Sequence, residues 1–149
     1  MATYESNLIF KGYIVDEVIF KRNEKYKNEE NEKHRITFKI NKTKLINGNE
    51  MIIKLYTTVF ENASDNNYPF EISVTITGYF DISKNDMNID FEPNAIAILY
   101  PYVRAIISIY TTNSNIGPII LPTINVIEML KQENKDNKEE KEEKSTLKD

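Results

Sequence analysis

Asn94-Ala-Ile-Ala-Ile-Leu-Tyr-Pro-Tyr-Val-Arg-Ala-Ile-Ile-Ser-Ile-Tyr110 is the longest apolar run of helical spacing in the chain. A polar break, Thr111-Thr-Asn-Ser-Asn115, follows it. Ile116-Gly-Pro-Ile-Ile-Leu-Pro-Thr-Ile-Asn125 comes next. In the first part Ala95, Ile98, Leu99, Tyr102, Val103, Ile106, Ile109 and Tyr110 recur at spacings of three and four, which predicts one helical stripe. Ile96, Ala97, Ala105 and Ile107 lie off that stripe. A helix apolar around most of its circumference needs burial on a second side, by a loop, another helix or another subunit. Pro101 cannot donate to the preceding turn, so it should kink the helix or begin its second part. Pro118 and Pro122 make the following segment extended, a crossover rather than a helix. Asn125 and Glu128 then stand as N-cap and N3 of a second helix, with Ile124 and Met129 at the staple positions. That helix should run to about Gln132.

Everything before this stretch reads as strands that need a cover. Leu8 to Phe20 is rich in β-branched and aromatic residues, with Leu8, Phe10, Gly12, Ile14, Asp16, Val18 and Phe20 on one face. Ile9, Tyr13, Val15 and Ile19 fall on the other, so the strand is either covered on both sides or changes face at a bulge near Gly12. Arg22 to Lys33 is charged and nearly free of apolar residues, an exposed connection. Arg35 to Leu45 alternates, with Ile36, Phe38 and Ile40 facing one way. Asn47-Gly48 is a strong hairpin signal, with Glu50 to Phe60 as the return strand. Phe70 to Ile82 alternates most cleanly of all. Four strands with hairpin-length or loop connections and no helix between them predict an antiparallel meander.

Composition narrows the function. The 149 residues suit one domain, residues 1–132, followed by a disordered charged tail, 133–149. From Lys131 on, seven acids and six lysines leave only Leu147 apolar. With no cysteine, disulfides and thiolate metal sites are excluded. A lone His34 leaves little for a histidine metal site or a catalytic triad, and the net charge of −4 argues against general nucleic-acid binding. No leader-like start and no uninterrupted membrane-length apolar run is present in the sequence, so a soluble cytoplasmic protein is the expectation.

Catalysis finds no support in the residues. Asp16 and Glu17 point to opposite faces of a strand, Asp81 and Asp86 flank a turn, and no carboxylate pair sits where its members would be tuned apart. The four glycines are scattered, so no phosphate cradle forms. Arg104, the one charge inside the long helix, is either a helix-surface, snorkelling arginine or half of a conformational or interface ion pair. What the sequence offers is apolar surface in excess of what one small sheet needs, the mark of an interaction site.

From Pro93 to Val126 the residues resemble the SecB protein-export chaperone family. The resemblance is carried by Pro93-Asn94, Ile98-Leu99-Tyr100-Pro101-Tyr102-Val103-Arg104, Ile107-Ser108, Pro118, Leu121-Pro122 and Asn125-Val126, with Gly78-Tyr79-Phe80 earlier. It implies an α+β fold: a four-stranded antiparallel sheet, a long helix and a short C-terminal helix, assembling as a homotetramer, a dimer of dimers. It implies a holdase without enzymatic activity, cofactor or metal, binding unfolded or precursor polypeptides and, in bacteria, passing them to the SecA motor. By position, the client groove would use Ile119, Ile120, Leu121, Ile124, Ile127 and Leu130. Ile96, Tyr100, Val103, Arg104, Ile107 and Tyr110 would form the oligomer interface. Glu17 holds one SecA-docking position, whereas Lys21 and Ser73 stand where the family carries acids. Some SecB-like chaperones guard an antitoxin instead, which is the alternative role.

Overall fold

The computed structural model describes residues 7–28, 35–83 and 88–146. His34, Asp86 and Leu147 lie outside them, with the rest of residues 29–34 and 84–87 and the two chain ends. Seven elements follow in order: β1 (Leu8–Arg22), β2 (Phe38–Asn47), β3 (Glu50–Val59), α1 (Ala63–Asn66), β4 (Phe70–Ile82), α2 (Glu92–Asn113) and α3 (Val126–Thr146).

The sheet is antiparallel and four-stranded, with order β1-β4-β3-β2. Only β2 to β4 form the meander. The first strand lies beside β4, not β2, which corrects the simple up-and-down expectation. Alternation identifies strands but carries no information about neighbours. The connection from β1 to β2 is long enough to cross the sheet, and β4 matches β1 in length, so β1 gains a full ladder there.

Two register shifts in β1, between Phe10 and Gly12 and between Val15 and Glu17, each insert one extra residue. Each insertion reverses the in–out alternation. Leu8 and Phe10, then Tyr13, then Val18 and Phe20 therefore all pack toward the core. Ile14, expected with Phe10 and Val18, instead lies exposed with Ile9 and Ile19 on the outer face. The bulge expected near Gly12 is present, with Gly12 at φ 131. The second, at Asp16, is fastened by Thr77 Oγ1 donating to Asp16 Oδ2 at 2.5 Å.

The β2–β3 hairpin closes on Gly48 and Asn49, since Asn47 already pairs with Glu50. Gly48 takes the first central position at φ 59, the left-handed conformation that a tight hairpin demands there. Between β3 and β4 the chain turns through α1, bounded by Asn62 and Asn67 in left-handed conformations. Buried Asn23 docks the start of the charged connection on this turn. Its Nδ2 donates to the carbonyls of Ala63 (3.1 Å) and Tyr68 (2.8 Å), and its Oδ1 accepts from Lys25 N–H (3.1 Å).

One face of the sheet is covered by α2. By length and composition α2 could also cross a membrane, but here Ala95, Ile96, Leu99, Tyr100, Val103, Ile107 and Thr111 are buried against the strands and crossover. The inward stripe is rotated from the expected one: Ile96, Tyr100 and Ile107 turn in, whereas Ile109 and Tyr110 turn out. Both candidate stripes are apolar, so only docking selects between them. Gly78 makes the contact close. A Cβ there would stand 2.5 Å from Leu99 Cδ2 and 2.7 Å from Cδ1, so the Gly in the Gly78-Tyr79-Phe80 motif lets the helix settle onto β4. Pro101 does not divide α2. It and Ala97 are exposed, so the carbonyl that loses its helical partner meets water. At the N-terminus of α2, Glu92 is buried as the first helical residue and pairs with Lys42 and, at 3.1 Å, Lys44 of β2. This clasp joins the helix start to the far edge of the sheet and places a carboxylate at the favourable end of the helix dipole.

The last helix starts as read, with Glu128 N–H donating to Asn125 Oδ1 at 3.1 Å and Ile124 and Met129 both packing on the core. It runs to Thr146, well past Gln132. The part from 133, expected as a disordered tail, is helical as far as 146. Lysine and glutamate are good helix formers, and Lys135 with Glu139, Lys138 with Glu142 and Glu140 with Lys144 stand in attractive i, i+4 relation. None of its residues is fully buried.

Candidate functional site: the crossover and the apolar surface beside it

Residues 114–125 return along α2 and are held there by polar side chains from one side of that helix. Tyr100 hydroxyl donates to the Pro122 carbonyl at 2.5 Å. Arg104 Nε donates to the Leu121 carbonyl at 3.0 Å, and Ser108 Oγ to the Ile119 carbonyl at 3.0 Å. Thr111 Oγ1 accepts from Ile119 N–H at 2.9 Å and donates to the Ile107 carbonyl at 2.7 Å. Tyr100, Arg104, Ser108 and Thr111 are three or four residues apart, so they form one row. They meet the crossover in reverse chain order. An extended segment without a sheet partner thereby finds partners for its inward backbone groups. Burial holds the Tyr100 phenol above its usual pKa, and the nearby Arg104 charge offsets part of that rise.

This geometry fixes which isoleucines are available. Leu121 is wholly buried and anchors the crossover in the core, so it is not a groove-lining residue. Ile119, Ile124 and Leu130 are half-buried and pack on the core. Ile120 is 66% exposed and Ile127 58%. Of the six residues assigned to a groove, Ile124 and Ile127 come together in a shallow depression of about 550 Å³, with Pro93, Asn94, Ala97, Asn125 and Val126. A second depression, about 390 Å³, lies between β2 and α3; Ile40 and Met129 supply its apolar side and Gln132, Glu133 and Asp136 its polar one. Pro93, Ala97, Ile40 and Met129 were not assigned there from sequence. Ile40 and Met129 carry the periodicity of core residues, and only the gap between their elements makes them part of a surface.

The residues assigned to an oligomer interface sort differently. Ile96, Val103 and Ile107 are wholly buried within the chain's own core, and Tyr100 nearly so. Arg104 binds a backbone carbonyl and lies 6.0 Å from the Tyr100 ring centroid. Tyr110 is partly exposed and touches the Phe20 ring at 5.7 Å. The row left open on α2 is Ala97, Pro101, Ala105 and Ile109. On the outer sheet face Glu17 is exposed and pairs in register with Thr75, while Lys21 lies opposite Glu71. Lys11 bridges Glu50 (2.8 Å) and Asp81 (3.2 Å), which holds its pKa above the usual lysine value.

Comparison with known proteins is consistent along most of the chain. The family model described as SecB, preprotein translocase subunit SecB, matches residues 9–137. An uncharacterised protein of Methanocaldococcus jannaschii is 40% identical over 141 residues, covering 85% of this chain and 88% of that protein. Protein-export protein SecB of Orientia tsutsugamushi is 29% identical over 137 residues, covering 87% of this chain and 85% of its own. In fold, the chain is similar to a SecB-like chaperone of Mycobacterium tuberculosis solved with a peptide from an antitoxin. The TM-score is 0.57 at 11% identity, over 79% of this chain and 88% of that one.

Proposed function

The chain belongs to the SecB family, and on that premise we propose that it is an ATP-independent holdase for unfolded or precursor polypeptides. The observation that supports this reading is the exposure of two isoleucines on the crossover and the last helix, Ile120 at 66% and Ile127 at 58%, with Ile127 lining the depression it shares with Ile124. Binding here is apolar burial, worth about 25 cal/mol per Å². Because such contact is non-directional, it suits many sequences rather than one. The fold relative from Mycobacterium tuberculosis binds an antitoxin peptide, and a peptide-binding role carries over to this chain as part of the same proposal. No catalytic step, cofactor or metal enters it.

The proposed assembly is a homotetramer, a dimer of dimers, working in the cytoplasm. Its support is the surface left open in the single chain: the edge strand β1 with Ile9, Ile14 and Ile19, and the α2 row Ala97, Pro101, Ala105 and Ile109. The test joins light-scattering mass with suppression of aggregation of an unfolded client in the absence of nucleotide. A tetramer that keeps the client soluble is expected. Ile120→Asp together with Ile127→Asp should lower that activity with little change in stability, because both side chains are exposed. A monomer that lets the client aggregate refutes the proposal.

Delivery to SecA is the finer part. Lys21 and Ser73 at acid positions, and Ile9, Ile14 and Ile19 on the same sheet face, favour a second reading in which clients are local and SecA is not the receiver. If Glu17 docks SecA, Glu17→Lys weakens that binding at low salt. Equal affinity for both forms rejects Glu17 as a docking residue.

A further inference from the structure

The row Tyr100, Arg104, Ser108 and Thr111 does more than satisfy a loop. The segment from Pro118 to Pro122 has only three amides, because its two prolines have none. One of these three, Ile119 N–H, is taken by Thr111. The carbonyls of Ile119, Leu121 and Pro122 are taken by Ser108, Arg104 and Tyr100. Between these ties Leu121 is driven into the core and Ile120 is turned out. Without them, a sequence as apolar as Ile119-Ile-Leu-Pro-Thr-Ile124 would gain by folding Ile120 back onto Ile124 and Ile127 and closing the depression they border.

We propose that Tyr100, Arg104, Ser108 and Thr111 are positioning residues for client binding, holding the crossover as a fixed wall so that Ile120 stays open in the unliganded protein. The inference rests on the holdase reading above. A wall that is already ordered removes the loop-ordering cost from each binding event. It also keeps the apolar surface available without nucleotide. The opposite arrangement, a mobile lid, would require four side-chain ties to break each time a client enters.

The test uses the full chain and a reduced, carboxymethylated, fluorophore-labelled unfolded protein as the probe. Fluorescence anisotropy gives its Kd. Hydrogen-exchange mass spectrometry follows the segment 118–122, and urea denaturation monitors the global fold. In the wild-type protein, Ile119 should be protected before the probe is added and equally protected afterwards. Ser108→Ala and Arg104→Met should raise Kd by roughly 5-fold each, the equivalent of one hydrogen bond of about 1 kcal/mol. They should also speed exchange in 118–122 and move the urea midpoint little. Ser108→Thr, which keeps the hydroxyl, should restore Kd and protection together.

Variants that bind the probe as tightly as wild type overturn the positioning role. So does faster exchange in 118–122 of the wild type on probe binding, the behaviour of a lid. The wild-type exchange measurement stands even if a variant fails to fold. A wild-type protein that does not bind the probe overturns the holdase reading, and the positioning role with it.

Discussion

Gly78→Ala is a small change with a calculable consequence. The new methyl would lie 2.5 and 2.7 Å from the two Leu99 Cδ atoms and 3.1 Å from Cγ, whereas carbon atoms rest at about 3.5–4.0 Å. Because both methyls are struck, exchanging their places gives no relief, and Leu99 is 0% exposed within the core. Either Leu99 leaves its rotamer or α2 lifts from β4. Overpacking of this kind costs about 1–3 kcal/mol. Replacing a glycine in a strand returns about 0.5–1 kcal/mol of chain entropy, so the net loss should centre on about 1 kcal/mol. Urea denaturation at fixed protein concentration measures it, as a midpoint lowered by roughly 0.5–1 M for a typical slope. Leu99→Ala alone should cost about 2–5 kcal/mol by leaving a cavity. In the double variant the methyl added at position 78 occupies part of that cavity, so the two losses should fall short of additivity by more than about 1 kcal/mol. Additive losses, or a Gly78→Ala protein as stable as wild type, would refute the close-approach account of this glycine.

Thr57 sits in the core face of β3 with its hydroxyl buried and without a hydrogen-bond partner among the described residues; Thr57→Val should stabilise by about 1 kcal/mol in the same urea assay. Asn23→Ala removes three bonds, although the Ala63 carbonyl keeps the Tyr68 N–H at 2.9 Å, so stability should drop by about 1–2 kcal/mol and proteolysis near 23–28 should speed up; an unchanged urea midpoint would count against the docked connection. Burial raises the folded-state pKa of Tyr100 above its unfolded value of 10.0. Its contribution is therefore complete below pH 10 and is lost as pH rises through the raised value. Alkaline titration should show 118–122 exchanging faster than extrapolation from neutral pH predicts, and Tyr100→Phe should abolish that step.

Much of the architecture was legible because its signals are local. Alternation in Phe70–Ile82, the glycine-centred hairpin, the Asn125 cap and the helical spacing of 94–110 each depend on residues a few positions apart. The same holds for the Tyr100, Arg104 and Ser108 pattern that pointed to the SecB family. What those residues do was not local. Arg104 read as a surface or ion-paired charge, and Ser108 as a motif letter, until the crossover came back over α2 and presented carbonyls to both.

The residue pattern alone determined that this chain makes strands, one strongly apolar helix and a proline-bound crossover, since side-chain periodicity and missing amides act within a few residues. Tertiary structure decided three things. It placed β1 beside β4, through a ladder between residues far apart in sequence. It turned Ile14 outward, because two bulges reversed an alternation that the sequence cannot count. And it chose the buried face of α2, sending Ile96, Val103 and Ile107 into the core and leaving Ala97, Pro101 and Ala105 open. When nearly every face of a helix is apolar, hydrophobicity does not choose among them; the shape of the partner surface, here the notch at Gly78 that admits Leu99, does.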